Sequence, residues 1–337
     1  MITANILRAA HIEFRVTDLE RAAAFYVELL GFVETARDRR RLYLRGYEEW
    51  QHHGLVLRLA ETPGVGHIAF RVATPGDLEL LAALSAADGL PTRWVEGEEA
   101  GQGKALRVQD PGGLPLEFFH EMDPAERLLQ RYDRYRGPGI MRLDHFNCQV
   151  PDVEPLAAWY QSTLGFHCSE LTETEETPPR PWATWLHRKQ NVHDLALMTG
   201  TGPRVHHAGF WLSDAAGVTR AADILAAAGR TEAIERGPGR HGLGNAFFLY
   251  LRDPDGNRIE LYTGDYLIAD PDWPTIRWKL NDPRRATLWG AMAPRSWFDE
   301  ASAVESVTDG SFLPLRSPAM ADRPAAVASD PPAVPPR

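Results

Sequence analysis

At 337 residues the chain has room for two ordinary domains, and 44% apolar content can fill both cores. A formal charge of −10 argues against a nucleic-acid or anionic-membrane surface, and no apolar run is long enough to span a bilayer. Two cysteines make no disulfide framework, and the N-terminus has no signal-peptide pattern, so the expected compartment is the cytoplasm.

In chain order, the first alternating run carries His11 and reads as a strand. Asp18 then caps an amphipathic helix, "LERAAAFYVELL", which stops at Gly31. Three strand-like runs follow: "HHGLVLRL" (52–59) with His53, "VGHIAFRV" (65–72) with His67, and "DPGGLPLEFF" (110–119), whose Asp-Pro-x-Gly turn leads into Glu117. Residues 120–142 read as a helical connector. The same order then returns. "HFNCQVPDVEPLAAWYQSTLGF" (145–166) doubles residues 11–32 without insertion, "VHDLALMT" brings His193, "VHHAGFWL" brings His207, and "DPDGNRIELY" brings Glu260. Several matches in one order indicate an internal duplication. The expected fold is α+β, with tandem β-α-β-β-β modules at 1–135 and 136–270. An extension follows at 271–316, and a Pro-rich tail at 317–337 is expected to be disordered.

Alternation lets His207 and Glu260 point to one face of a curved sheet, and with His145 they complete a set of two imidazoles and one carboxylate. That set can occupy one face of Fe(II) and leave positions for substrate and oxygen, but it can equally hold catalytic zinc. A single strand histidine is more often a packing residue; recurrence of three ligand types in two modules favours chemistry. "GPGRHG" (237–242) formally matches a dinucleotide-binding pattern. It precedes a strand-like run rather than a helix, so it reads as a flexible loop carrying His241.

The stretches "RLDHFN" (142–147), "WLHRKQNVHD" (185–194), "GPRVHHAGF" (202–210), "ERGPGRHGLGNAFFLYLRDPDGNRIELYTGDY" (235–266) and "DPRRATLWG" (282–290) resemble the type I extradiol catechol dioxygenases of the vicinal oxygen chelate superfamily. The resemblance runs from about residue 8 to about 300 and points to members that open 3,4-dihydroxyphenylacetate. It implies two barrel-like domains and an iron site at His145, His207 and Glu260, with Mn(II) as an alternative metal. It also implies His193 as acid/base, Tyr250 as a hydrogen-bond partner of the substrate, His241 and Asn147 beside them, and Trp185 as an aromatic wall. Arg236 and Arg285 are the implied carboxylate binders, with Arg284 competing for the inward position. The implied partners are a catechol and O₂, in a homo-oligomer that is a tetramer in many relatives. Another 4-substituted catechol is the alternative substrate. A glyoxalase-type isomerase or lyase, or a metal-free binding protein of the same fold, are the competing classes. In the first copy Arg107 stands where the second has Tyr250, and Glu13 stands where it has Asn147. A cation at 107 can pair with Glu117, so the expectation is a non-catalytic first domain and one metal per chain.

Overall fold

The computed structural model describes residues 3–324. Its first sheet is built from β1 (Ile6–Val16), β2 (Val33–Arg37), β3 (Arg41–Arg45), β4 (Leu55–Leu59), β5 (Gly64–Val72), β6 (Thr92–Val95), β7 (Ala105–Gln109) and β8 (Pro115–Phe119). Helix α1 (Leu19–Ala23) runs into a π-helical segment (Ala24–Leu29), and α2 (Pro75–Ala87) follows β5. Asp18 caps α1 through the Glu20 and Arg21 amides, as its position in the sequence predicts.

Strand order in this sheet is β2-β3-β4-β1-β5-β8-β7-β6. β1 and β5 pair antiparallel at the centre, β4 lies parallel to β1, and β8 lies parallel to β5. Each copy is therefore two βαβββ units back to back, rather than the single unit read from the sequence. The missed helix α2 begins with a capping box between Thr74 and Asp77. Its run "LELLAALSAA" is apolar on nearly every side, so it lacks the two-faced pattern that marks a surface helix.

The second copy repeats the plan with β9 (Ile140–Val150), α3 (Val153–Ser162), β10 (His167–Glu173), β11 (Pro181–His187), β12 (Leu195–Thr199), β13 (Arg204–Leu212), α4 (Ala215–Ala227), β14 (Ile234–Arg240), β15 (Phe247–Arg252) and β16 (Arg258–Thr263). The extension adds β17 (Ile276–Lys279), α5 (Pro283–Ala286), β18 (Trp289–Gly290), α6 (Ser296–Asp299) and β19 (Ser302–Ala303). β17 joins the edge of the second sheet at β10, β18 joins the other edge at β14, and β19 pairs with β13. The chain then crosses to the first copy, where Glu305 accepts from Arg15 at 2.6 Å and Arg58 at 2.7 Å.

Two further expectations are corrected. Residues 120–139 are not a helix but an irregular strap with one 3₁₀ turn (Tyr132–Arg134). It is fixed point by point: Ala125 N–H donates to the Trp50 carbonyl, Arg45 to the Glu126 carbonyl, and Tyr135 stacks on Tyr47. Residues 317–324 are not disordered against the body. The Trp182 indole donates to the Ala321 carbonyl, and Arg323 pairs with Asp299. The rest of the expected disordered tail, 325–337, lies outside the described residues.

One apolar core runs through both halves, with Phe70 edge-on to Phe146 and Phe166, and Phe32 edge-on to Phe210. Within it the Tyr26 hydroxyl donates to Asp253 at 3.1 Å and the Tyr160 hydroxyl donates to Asp110 at 2.8 Å. The turn aspartate of each copy thus receives the helix tyrosine of the other. Among the described residues, no helix is long and apolar enough to cross a membrane.

Candidate metal centre

Strand alternation in the second copy separates a polar concave face from an apolar one. Along β9, Phe146 and Cys148 enter the core while His145 and Asn147 face a cavity. Along β16, Ile259 and Leu261 enter the core while Glu260 and Tyr262 face the same cavity. β13 lies between these strands, with Gly209 in register with both His145 and Glu260, and it delivers His207. A Cβ at Gly209 would stand 2.2 Å from His145 Cε1, so only glycine lets that ring cross the neighbouring strand.

His145 Nε2 lies 3.0 Å and His207 Nε2 lies 3.3 Å from Glu260 Oε2, all three residues buried. The hydrogen bonds behind them set the tautomers. His145 Nδ1 faces the Asp144 carboxylate at 3.2 Å, which can only accept, so the proton sits on Nδ1 and Nε2 offers its lone pair. His206 Nε2 donates to the Trp297 carbonyl at 2.9 Å, which leaves His206 Nδ1 to accept from His207 Nδ1 at 2.7 Å. His207 Nε2 is then bare as well. Glu260 Oε1 is buried and makes no hydrogen bond. Once His145 Nε2 sheds the proton it shares with Glu260, two imidazole nitrogens around a carboxylate with an unused oxygen fit a divalent cation.

Burial penalises a proton on His145, yet Asp144 and Glu260 outweigh it and lift its pKa to about 9. Burial and its histidine neighbour bring His207 down to about 4, although Glu260 works in the opposite direction. The carboxylates therefore hold one positive charge on the cluster, which a dication would replace. Burial opposes the charge on Asp144 too, but Lys189 and His145 hold its pKa well below the ordinary range.

His193 lies in the turn between β11 and β12, its ring centroid 4.0 Å from that of His145. Burial and His145 keep its pKa well below 6.5, so it is a neutral base at the cavity wall. Asp194 shapes that turn by accepting from the Arg188 and Lys189 amides and from the Ala9 amide of the first copy. Tyr250 and His241 stand across the cavity. His241 Nδ1 donates to the Ala286 carbonyl at 2.5 Å, so its Nε2 accepts the Tyr250 hydroxyl at 2.9 Å. Burial drives the Tyr250 pKa well up and the His241 pKa down to about 3, so both are neutral.

The cavity, counted with its open mouth, spans about 690 Å³, and its lining includes Asn147, Trp185, Arg236 and Arg285 together with the three candidate ligands. Every candidate residue from the sequence is therefore brought together. Arg285 is buried, with Nε on the Leu280 carbonyl, whereas Arg284 is exposed and paired with Asp282 at 2.7 Å. Arg236 bonds the Ala286 carbonyl and the Thr287 hydroxyl but leaves Nη1 unpartnered. Burial depresses both arginine pKa values, that of Arg285 to about 10 with Arg236 repelling it. Residues 237–240, read as part of a flexible loop, instead belong to β14. A register shift between Arg236 and Gly239 against β15 accommodates Pro238.

Sequence reasoning missed Asp144 and His206, which set the ligand tautomers, and the walls Trp182 and Trp297. Asp144 and His206 adjoin the ligand histidines inside the quoted motifs, a signal that was available; Trp297 comes from α6, with no local cue. In the first copy Arg107 Nε donates to Glu117 at 2.7 Å, directly across the β7–β8 ladder, as Tyr250 lies across from Glu260.

Residues 8–118 and 142–261 match the Glyoxalase/Bleomycin resistance protein/Dioxygenase superfamily. Over 302 residues the chain is 34% identical to a manganese-dependent 2,3-dihydroxybiphenyl 1,2-dioxygenase from Geobacillus genomosp. 3, covering 86% of this chain and 95% of that one. It is 31% identical to a metapyrocatechase from Geobacillus stearothermophilus, covering 89% and 94%. Among solved structures it is similar to homoprotocatechuate 2,3-dioxygenase from Brevibacterium fuscum in complex with 3,4-dihydroxyphenylacetate. The TM-score is 0.90 at 42% identity, covering 93% of this chain and 98% of that one.

Proposed function

The chain belongs to the Glyoxalase/Bleomycin resistance protein/Dioxygenase superfamily and is an extradiol catechol dioxygenase, and from that premise we propose that its substrate is 3,4-dihydroxyphenylacetate. The product is then 5-carboxymethyl-2-hydroxymuconate semialdehyde, which carries both atoms of O₂. The observation that carries this choice is the pair of buried guanidiniums, Arg236 and Arg285, on the wall of the cavity that also holds the His/His/Glu set. Neither makes an ion pair with a carboxylate among the described residues; burial lowers both pKa values, and Arg236 lowers that of Arg285 further. A carboxymethyl tail supplies the missing anion.

His145, His207 and Glu260 would hold Fe(II), with Mn(II) as the alternative. Such a metal, when bound, would supply the Lewis-acid and redox chemistry that a catechol and O₂ need. His193, neutral beside His145, accepts a catechol proton and returns it as the ring opens. Tyr250, whose proton is committed to His241, keeps an oxygen lone pair to accept from the substrate hydroxyl. Asn147 adds a polar contact from β9, its Oδ1 otherwise unpartnered. Trp182 and Trp185 flank the ring and exclude water.

Oxygen uptake by Fe(II)-loaded protein over 3,4-dihydroxyphenylacetate, 4-methylcatechol and 2,3-dihydroxybiphenyl tests the choice. The expected result is a yellow semialdehyde with the highest kcat/KM on the carboxylate. A preference for the biphenyl diol would transfer the tail site to the aromatic walls. The two free cysteines support a reducing compartment, and the resemblance to extradiol dioxygenases supports a homotetramer, the latter checked by sedimentation of the purified protein.

A further inference from the structure

The first copy contains a second convergence of ligands, and it includes a residue without an equivalent in the catalytic set. Glu99, from the segment between β6 and β7, reaches between His11 of β1 and His67 of β5, where Glu117 of β8 already stands. All four residues are buried, with His11, His67 and Glu117 fully so. His11 Nε2 and His67 Nε2 face each other at 3.1 Å. His11 Nε2 lies 3.3 Å from Glu99 Oε2 and 3.3 Å from Glu117 Oε1. His67 Nε2 lies 3.2 Å from Glu99 Oε1 and 3.7 Å from Glu117 Oε1.

Those separations, taken to either Glu99 oxygen, are close to the edges of a coordination tetrahedron. Metal–ligand bonds of about 2.0–2.2 Å at tetrahedral zinc place neighbouring ligand atoms about 3.3–3.6 Å apart. Without a metal a single proton on His11 Nε2, facing Glu99 and Glu117, satisfies the 3.1 Å gap to His67 Nε2, and a dication would displace it. His11 Nδ1 and His67 Nδ1 are buried and make no hydrogen bond, and Glu13 Oε1 lies 3.9 Å from His67 Nδ1. Arg107 does not cancel the acidic charge. Its guanidinium is shared among Glu98, Glu99 and Glu117, and with Arg93 on Glu98 the group still carries one excess negative charge.

We propose that His11, His67, Glu99 and Glu117 form a closed, four-coordinate site for a structural divalent metal of the zinc type, distinct from the catalytic centre. This reverses the expectation of one metal per chain, which rested on Arg107 and Glu117 without knowledge of Glu99. No cavity adjoins His11, His67 or Glu99 among those described, and all four positions are filled by protein, so the site binds no substrate. Its role is to tie the 96–104 segment to the central strands.

Elemental analysis after loading with Zn(II) and Fe(II) followed by desalting should give two equivalents of metal per chain. Glu260→Gln should lose one, and a His67→Ala/Glu99→Gln double variant should lose the other while retaining oxygen uptake with a catechol. Because the double variant removes buried groups, anomalous diffraction at the zinc edge from zinc-loaded parent crystals gives an independent reading. The expected result is a peak within bonding distance of His11 Nε2 and His67 Nε2. One equivalent in the parent, a second equivalent that survives in the double variant, or no anomalous peak at this position would overturn the proposal.

Discussion

Glu260 is the only carboxylate in the second-copy cluster, and both imidazoles address the same oxygen, Oε2. Glu260→Gln keeps the shape and removes the anion, so metal content at this site and ring cleavage should fall together while circular dichroism is unchanged. Full catalytic metal with normal turnover would remove Glu260 from the ligand set. His193 makes a different claim. It stacks beside His145 rather than on the carboxylate, so His193→Phe should retain the metal and slow single-turnover ring opening by about 10²–10⁴-fold, the usual range for a lost acid/base. Unchanged single-turnover rates would leave His193 as a wall residue.

At the scale of elements, the extension completes the cavity, since α5 brings Arg285 inward and turns its neighbour Arg284 to solvent. Arg285→Leu should raise KM for 3,4-dihydroxyphenylacetate at least tenfold more than for 4-methylcatechol, whereas Arg284→Leu should leave both unchanged. Steady-state kinetics on the two substrates separates tail recognition from a general loss of packing. The division between what was legible and what was not follows the same elements. His145, His207 and Glu260 could be read because duplication marked them twice and period-two alternation gave them one face. Helix α2 could not be read because its Leu- and Ala-rich run is apolar on nearly every side although only Leu78, Leu81 and Ser85 are buried, whereas α4 buries Val218, Ala221 and Leu225 at helical spacing, a signal that was available. The strap at 120–139 carried helix-forming residues, but its backbone bonds go to Trp50 and Arg45, partners set only by the tertiary fold. Glu99 lies in an irregular segment whose repeat partner does not align, so nothing in the sequence tied it to His11.

In the whole molecule the reciprocal Tyr26–Asp253 and Tyr160–Asp110 bonds lock the halves together. Burial lifts both aspartate pKa values to about 6, against 3.8 for the free side chain, with the tyrosine hydroxyls opposing the rise. A raised carboxyl pKa favours the fold when the group is protonated. The contribution is therefore complete below about pH 4 and is lost as pH climbs through about 6. Above that point each buried carboxylate relies on the groups that donate to it, its tyrosine among them beside the Asn257 amide and backbone at Asp253 and the Leu114 backbone at Asp110. Tyr26→Phe and Tyr160→Phe should each cost about 1–3 kcal/mol, more at pH 7.5 than at pH 4.5, in urea unfolding. Equal losses at the two pH values would show that the phenols do not stabilise the ionised aspartates. Because each half contributes one donor and one acceptor to this exchange, a half-length ancestor could have made both bonds only by embracing a copy of itself. In the fused chain the two seams no longer have to be identical, so one half was released to specialise in ring cleavage without dissolving the partnership that keeps it folded.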